Sequence, residues 1–278
     1  MNIIDSHAQF LNPPEHIYTW LERDSLLNRV YLPAEIPASG EGWTVEKIVA
    51  VEARCLPEQW KDEVNWLLGL AKADPRIAGV VAYTPLENHN FHAVLEILAD
   101  LPQVCGVRRS IVDEKQGFAA QEHFIDAVHN LPDYDFTFDI ACTTAQTDDV
   151  EALVRNAPDT KFVVDNLLRP RFETAEFNIW EKQMQRLALF ENVHCKVATG
   201  MVRSQQGQAW NAEVIQPFVE RLLRIFGTKR LMFAGDFPVV VASDAGYGVW
   251  VDVVLGMLSE AEQQQVFYDN AATFYGLD

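Results

Sequence analysis

One carboxylate in this sequence stands where a strand gives out. The apolar run Leu231-Met232-Phe233 continues through Ala234-Gly235 to Asp236, and Phe237-Pro238 follows. A carboxylate held at the mouth of a sheet is partly desolvated, which raises its pKa toward the range where it takes a proton from water or substrate. Asp236 is therefore the candidate general base. Capping of a following helix is the structural alternative, and Pro238 interrupts that geometry. Near the other end of the chain, Ile4-Asp5-Ser6 leads to His7. A His-x-His pair on a strand turns two imidazoles to one face, as a metal site needs, but the third position here is Gln9, a poor zinc ligand. His89 and His92 lie about one helical turn apart, at what reads as a solvated helix start.

Cationic side chains supply the second half of a site. His194 and Lys196 share one strand face, and Val193, Cys195 and Val197 share the other. Lys196 is the better candidate for orienting a substrate, and the deeper His194 for pairing inside the core. Arg108 and Arg109 close an earlier apolar run, while Arg169, Arg171 and Arg203 lie just beyond later ones. Arginine grips carboxylate in a fork, so these side chains could build an anion site within an acidic protein, and surface ion pairs explain any one of them as well. Tyr83, Asn166, Glu52, Arg54, Asp139 and Asp165 complete the polar residues at run ends.

Eight short apolar runs must position these groups: Asn2–Asp5, Lys47–Glu52, Ile77–Tyr83, Val104–Arg108, Phe136–Ile140, Phe162–Asp165, Val193–Val197 and Arg230–Phe233. Their apolar character on both faces suits buried parallel strands. Between them, apolar residues recur at spacings of three and four, as in Val64, Leu67, Leu68 and Ala71, or Phe218, Leu222, Ile225 and Phe226. That is the period of amphipathic crossover helices. Eight strand–helix repeats in 278 residues predict a single-domain (β/α)8 barrel spanning 1–278. A long first loop, 10–44, carries Tyr18, Trp20, Tyr31 and Trp43 and reads as a lid or a packed cover of the mouth. Two helices, Val249–Leu258 and Glu260–Phe267, are expected after the last strand.

Forty acidic against 22 basic side chains leave a net charge of −18, which argues against a nucleic-acid partner. Apolar residues make up 49%, enough for a large core, and no run is long enough to span a bilayer. With no signal-like start, a cytoplasmic, small-molecule protein is expected, and self-association as a homo-oligomer stays open. Cys55, Cys105, Cys142 and Cys195 form no CxxC pair and are expected to be buried, reduced thiols.

Taken in order, Ile4-Asp5-Ser6-His7, Trp20-Leu21, Leu32-Pro33, Gly106-Val107-Arg108, Phe138-Asp139, Val163-Val164-Asp165-Asn166, Lys196-Val197-Ala198-Thr199-Gly200, Arg230 through Pro238, and Asn270-Ala271-Ala272-Thr273-Phe274-Tyr275 resemble the amidohydrolase superfamily. The likeness is to its lactonase-like group, which includes sugar lactonases and 2-pyrone-4,6-dicarboxylate lactonase. It implies a barrel and a hydrolase of a sugar-acid or dicarboxylate lactone that works without a metal cofactor. Asp236 would activate water, His7 would donate a hydrogen bond to the developing oxyanion, and Arg108 would clamp a substrate carboxylate. Two departures stand out: Gln9 and Asn166 occupy places where the group carries imidazoles. An amide still donates to a carbonyl oxygen but shuttles no proton. Three alternatives follow: hydrolysis by a single divalent metal such as zinc on His7, Asp236 and a further ligand; lactone isomerisation; or a catalytically silent binding protein.

Overall fold

In a computed structural model of the chain, residues 1–21, 26–169, 174–199, 212–242 and 246–277 are described. The predicted strands all form: β1 (Asn2–Ala8), β3 (Trp43–Val51), β4 (Ile77–Tyr83), β5 (Val104–Arg108), β6 (Thr137–Ile140), β7 (Phe162–Val164), β8 (Val193–Val197) and β9 (Leu231–Phe233). They pair in parallel in chain order, and a two-residue strand β2 (Ser39–Gly40) adds to β3 antiparallel. The ring closes where β1 meets the end of β9, through a parallel bridge between Ala8 and Phe237. Around it lie α1 (Trp60–Ala73), α2 (Phe91–Ala99), α3 (Glu122–His129), α4 (Thr147–Asn156), α5 (Thr174–Ala188) and α6 (Ala212–Phe226). This is the (β/α)8 barrel.

Strand alternation sorts the core into two layers. On β8, Val193, Cys195 and Val197 face the helices as expected, and they belong to the large apolar layer between sheet and helices. Inside the barrel, Ile4, Val49, Val51, Val81, Val163 and Met232 meet Phe274 and Tyr275. Those aromatics come from the chain's last helix. After α7 (Gly246–Leu255), the helix α8 (Glu260–Gln264) runs through a π-helical turn, Gln265–Asp269, into α9 (Asn270–Tyr275). The second tail helix thus extends beyond the expected Phe267, because α9 has an apolar socket to fill.

Five strands differ from their expected bounds, three of them by one residue and β1 and β3 by more. β1 continues past Asp5 through Ser6 and His7, polar residues that are fully buried inside the barrel. β3 begins at Trp43, where buried Trp43 and Val45 alternate with Thr44 and Glu46. The described part of the first loop is a packed cover: Leu11 bridges Tyr31, Trp20 Nε1 donates to the Ala53 carbonyl at 2.8 Å, and Tyr31 meets Phe237 edge-on at 5.7 Å. The cysteines are free thiols, all buried but Cys105, which is partly so.

Candidate active site

Register brings the polar residues into one layer near the C-terminal ends of the strands. Tyr83 pairs with Arg108, and Arg108 pairs with Asp139. From this layer Arg108 reaches sideways, giving Nη1 to Glu52 Oε1 at 2.5 Å and Nε to Asp165 Oδ2 at 2.8 Å. Burial works against its charge, but Glu52, Asp165 and Asp139 outweigh it and hold the guanidinium above its ordinary pKa. Arg108, expected to grip a substrate carboxylate, is thus a buried structural cation with two of its donors on the protein's own carboxylates. Gln9 is likewise engaged, its Nε2 donating to the Glu52 carbonyl at 2.7 Å. Arg109 pairs with Glu87 and Glu114 beside Tyr83, which is itself nearly buried.

Lys196 lies deeper than a substrate-orienting residue would. Its Nζ is completely enclosed, 2.5 Å from Asp139 Oδ2, 2.9 Å from Asp165 Oδ1 and 3.1 Å from His7 Nδ1. Tyr275 completes the cluster from below, its hydroxyl donating to Asp139 at 3.0 Å. Burial pushes Asp139 up to about 6, with Lys196 pulling against it. Burial also opposes the charge on Asp165, but Lys196, His7 and Arg108 prevail and hold that carboxyl below its usual range. His7 is lowered to about 4, by burial first and by the neighbouring Lys196 and Arg108, against the pull of Asp165. The imidazole is therefore neutral near pH 7. Its Nε2 is buried without a hydrogen-bond partner among the described residues.

Asp236 sits against His7 through the main chain, its N–H donating to the His7 carbonyl at 3.0 Å. Its side chain is buried, and Oδ2 accepts from the Thr199 hydroxyl at 2.5 Å. The positive backbone angle at Asp236 (φ 54) is shared by Arg54 (φ 59) after β3 and by Asn166, Leu167, Leu168 and Arg169 (φ 47 to 58) after β7. A left-handed conformation costs an ordinary residue about 1–2 kcal/mol. Six such residues gather on one rim of the barrel. Buried Leu167 and Leu168, and Trp180 Nε1 on the Leu167 carbonyl at 2.8 Å, hold the left-handed turn in place.

That turn carries two sequence candidates. Asn166 presents a buried Oδ1 with no partner among the described residues. Arg169 is pulled down to about 10, by burial and then by the like charges of Arg54 and Arg108, with Asp236 opposing. It stays charged at neutral pH, and no described residue receives a hydrogen bond from its guanidinium. A cleft of about 530 Å³ opens beside it, lined also by Thr143, Thr144, Asp148 and Trp180. Arg171 and Arg203 lie outside the described residues. His194 points to the other end of the barrel, against Phe274 at 4.9 Å, and His92 reaches Tyr134 on the periphery. Sequence reasoning missed Thr199, Tyr275 and the gathering of Asp139 around Lys196. Thr199 and Tyr275 were visible only as members of longer motifs, one after Lys196 and one at the C-terminal end.

A family model described as Amidohydrolase matches residues 4–277. The chain belongs to the amidohydrolase family. It is 27% identical to the L-fucono-1,5-lactonase of Burkholderia ambifaria, over 99% of this chain and 96% of that protein. A protein of the same name from Burkholderia multivorans is 28% identical, with the same shares covered. Among solved structures, an amidohydrolase from Burkholderia multivorans with bound zinc superposes over the full length of both chains, at a TM-score of 0.87 and 26% identity. A putative 2-pyrone-4,6-dicarboxylic acid hydrolase from Pseudomonas putida shares the fold, at a TM-score of 0.72 and 19% identity.

Whether this amidohydrolase is built for a metal can be asked of its own donors. Among the described residues one group of three His, Cys, Asp or Glu side chains converges, His7, Asp139 and Asp165, with ligand atoms within 4.8 Å of one another. The Lys196 ammonium already stands among them. His7 and Asp236, the pair expected from sequence, gain no third such donor among the described residues, against the three protein ligands usual for catalytic zinc. With the ammonium in place, the donor set among the described residues does not fit a divalent ion. Among the described residues, no helix is long and apolar enough to cross a membrane.

Proposed function

We propose that this enzyme hydrolyses the ester bond of a lactone, a sugar-acid lactone or one bearing a carboxylate, without a metal ion. The observation that carries the reading is the juxtaposition of His7 on β1 and Asp236 just beyond β9, one a neutral imidazole whose buried Nε2 has no partner among the described residues and the other a carboxylate. The full-length likeness to two L-fucono-1,5-lactonases supports it.

In this mechanism Asp236 takes a proton from water as the water oxygen adds to the lactone carbonyl carbon. The oxyanion that forms accepts a hydrogen bond from His7 Nε2–H, a neutral donor that needs no reorganisation. The ring C–O bond then breaks, and the departing oxygen takes the proton from the Asp236 carboxyl, leaving a hydroxy acid. Thr199 steadies the carboxylate through its 2.5 Å hydrogen bond. Arg169, charged and with no hydrogen bond to a described residue, meets a carboxylate or hydroxyl group of the substrate.

The test is a panel of aldonolactones and pyrone carboxylates at neutral pH, with and without chelator, run on the wild type and on Asp236→Asn. Turnover that survives chelation in the wild type and drops by about 1,000-fold or more in the folded variant is expected. Full activity in Asp236→Asn would remove the carboxylate from the mechanism, and loss on chelation would remove the metal-free reading.

A further inference from the structure

The arrangement inside the barrel has the outline of a cation cage. An imidazole nitrogen and two carboxylates from three separate strands turn their ligand atoms to a common point. What occupies that point belongs to the chain: the Lys196 Nζ, at 2.5, 2.9 and 3.1 Å from Asp139, Asp165 and His7. We propose that Lys196 is a built-in substitute for a metal ion, a positioning residue whose ammonium fills the cage and holds His7 with its proton on Nε2.

Three arguments converge. The first is donor count. An ammonium has three N–H groups and no acceptor, and three acceptor atoms surround it, Asp139 Oδ2 and His7 Nδ1 as hydrogen-bond partners and Asp165 Oδ1 at an ion-pair distance of 2.9 Å. The second is direction. Because an ammonium can only donate, His7 Nδ1 must accept, and the single hydrogen of the neutral ring moves to Nε2. The competing contact, Nδ1 to Asp165 Oδ1, is longer at 3.4 Å. Nε2 lies on the far side of the ring, so the donor it creates faces away from the cage. The third is charge. Asp139 and Asp165 both face Lys196, and Arg108, shared with Glu52 at 2.5 Å, holds the other oxygen of Asp165 at 2.8 Å. A divalent ion at about 2 Å from the same ligands would collide with the ammonium and overcharge the cage.

Only the acceptor of the Nε2 hydrogen, a lactone carbonyl, rests on the function proposed above. The cage and the tautomer are tested without substrate. In full-length wild type labelled with 15N-histidine, the His7 ring is expected as the Nε2–H tautomer. Titrating Co2+ into the wild type should give no stoichiometric d–d band and no shift in Tm. Lys196→Ala, which empties the cage, should bind one Co2+ per chain and gain Tm with it, and adding Asp139→Asn should abolish both. Lys196→Met should move the His7 proton toward Nδ1 and Asp165, and lower kcat by about 10–100-fold with little change in KM, the usual range for residues that orient a reacting group.

A wild-type Nδ1–H tautomer overturns the proposal. So does a wild-type Co2+ site lost in Asp139→Asn, or a folded Lys196→Ala that takes up no Co2+. If the variants do not fold, the wild-type spectrum and titration still decide it. If no lactone is hydrolysed while these results hold, the functional reading fails and the cage stands.

Discussion

The Asp5 carboxylate accepts the backbone N–H of Gly235 at 2.7 Å, and the same oxygen accepts that of His7 at 3.0 Å. One buried side chain on β1 therefore fixes the main chain just before Asp236 and at His7 together, while its other oxygen takes the Tyr247 hydroxyl at 3.0 Å. A Cβ at Gly235 would overlap both Asp5 and the Tyr247 ring. Gly235→Ala is expected to cost about 1–3 kcal/mol of stability and to lower kcat more than it raises KM. Denaturant unfolding and steady-state kinetics check this.

Replacing His7 with Leu should remove the oxyanion donor and strand one N–H of Lys196. A loss of about 100- to 1,000-fold in kcat is expected, with about 1–3 kcal/mol of stability. Since His7 is neutral above about 4, the wild-type kcat/KM profile should show no inflection near 6.5 from this ring. A pH–rate profile decides it.

No described residue receives a hydrogen bond from the Arg169 guanidinium, whose charge Arg54 and Arg108 disfavour and Asp236 and Asp113 favour. Arg169→Met should leave Tm unchanged or slightly higher, and raise KM about 10-fold or more for carboxylated or hydroxylated lactones. An unchanged KM across the panel would take this residue out of substrate recognition.

Glu63, on α1, is buried and accepts the Ala53 N–H at 2.9 Å. Burial, and then the negative charge of Glu52, push its carboxyl up to about 8, against the pull of Cys55 and Arg108. Between the ordinary value of 4.5 and about 8 the folded chain keeps a proton that the unfolded chain has lost, so this group makes stability fall as pH rises through that window. Glu63→Gln, which keeps an acceptor for Ala53, should gain about 2 kcal/mol or more over the wild type at pH 9 and almost nothing at pH 4. Paired denaturation curves at the two pH values test the difference.

The barrel was legible because each strand is a short apolar run and each crossover keeps helical spacing, so local pattern and global topology agree. Asp236 and His7 were legible because they end such runs. Lys196 and Arg108 were legible as polar residues on inward faces, but not in their use. Which carboxylates they meet depends on the stagger between strands distant in sequence, and nothing local to either residue records it. The extension of β1 through Ser6 and His7 was hidden for a related reason: polar side chains buried inside a barrel look like a loop in sequence.

The seam between β1 and β9 joins the first residues of the chain to some of the last. One of its main-chain bonds, Asp236 to His7, joins the two residues that are assigned the chemistry, and the other, Gln9 to Phe237, lies beside it. A nascent or truncated chain lacking its final strand would thus be missing half of the reactive pair as well as its closure. Closing the ring and bringing the reactive pair together are the same structural event.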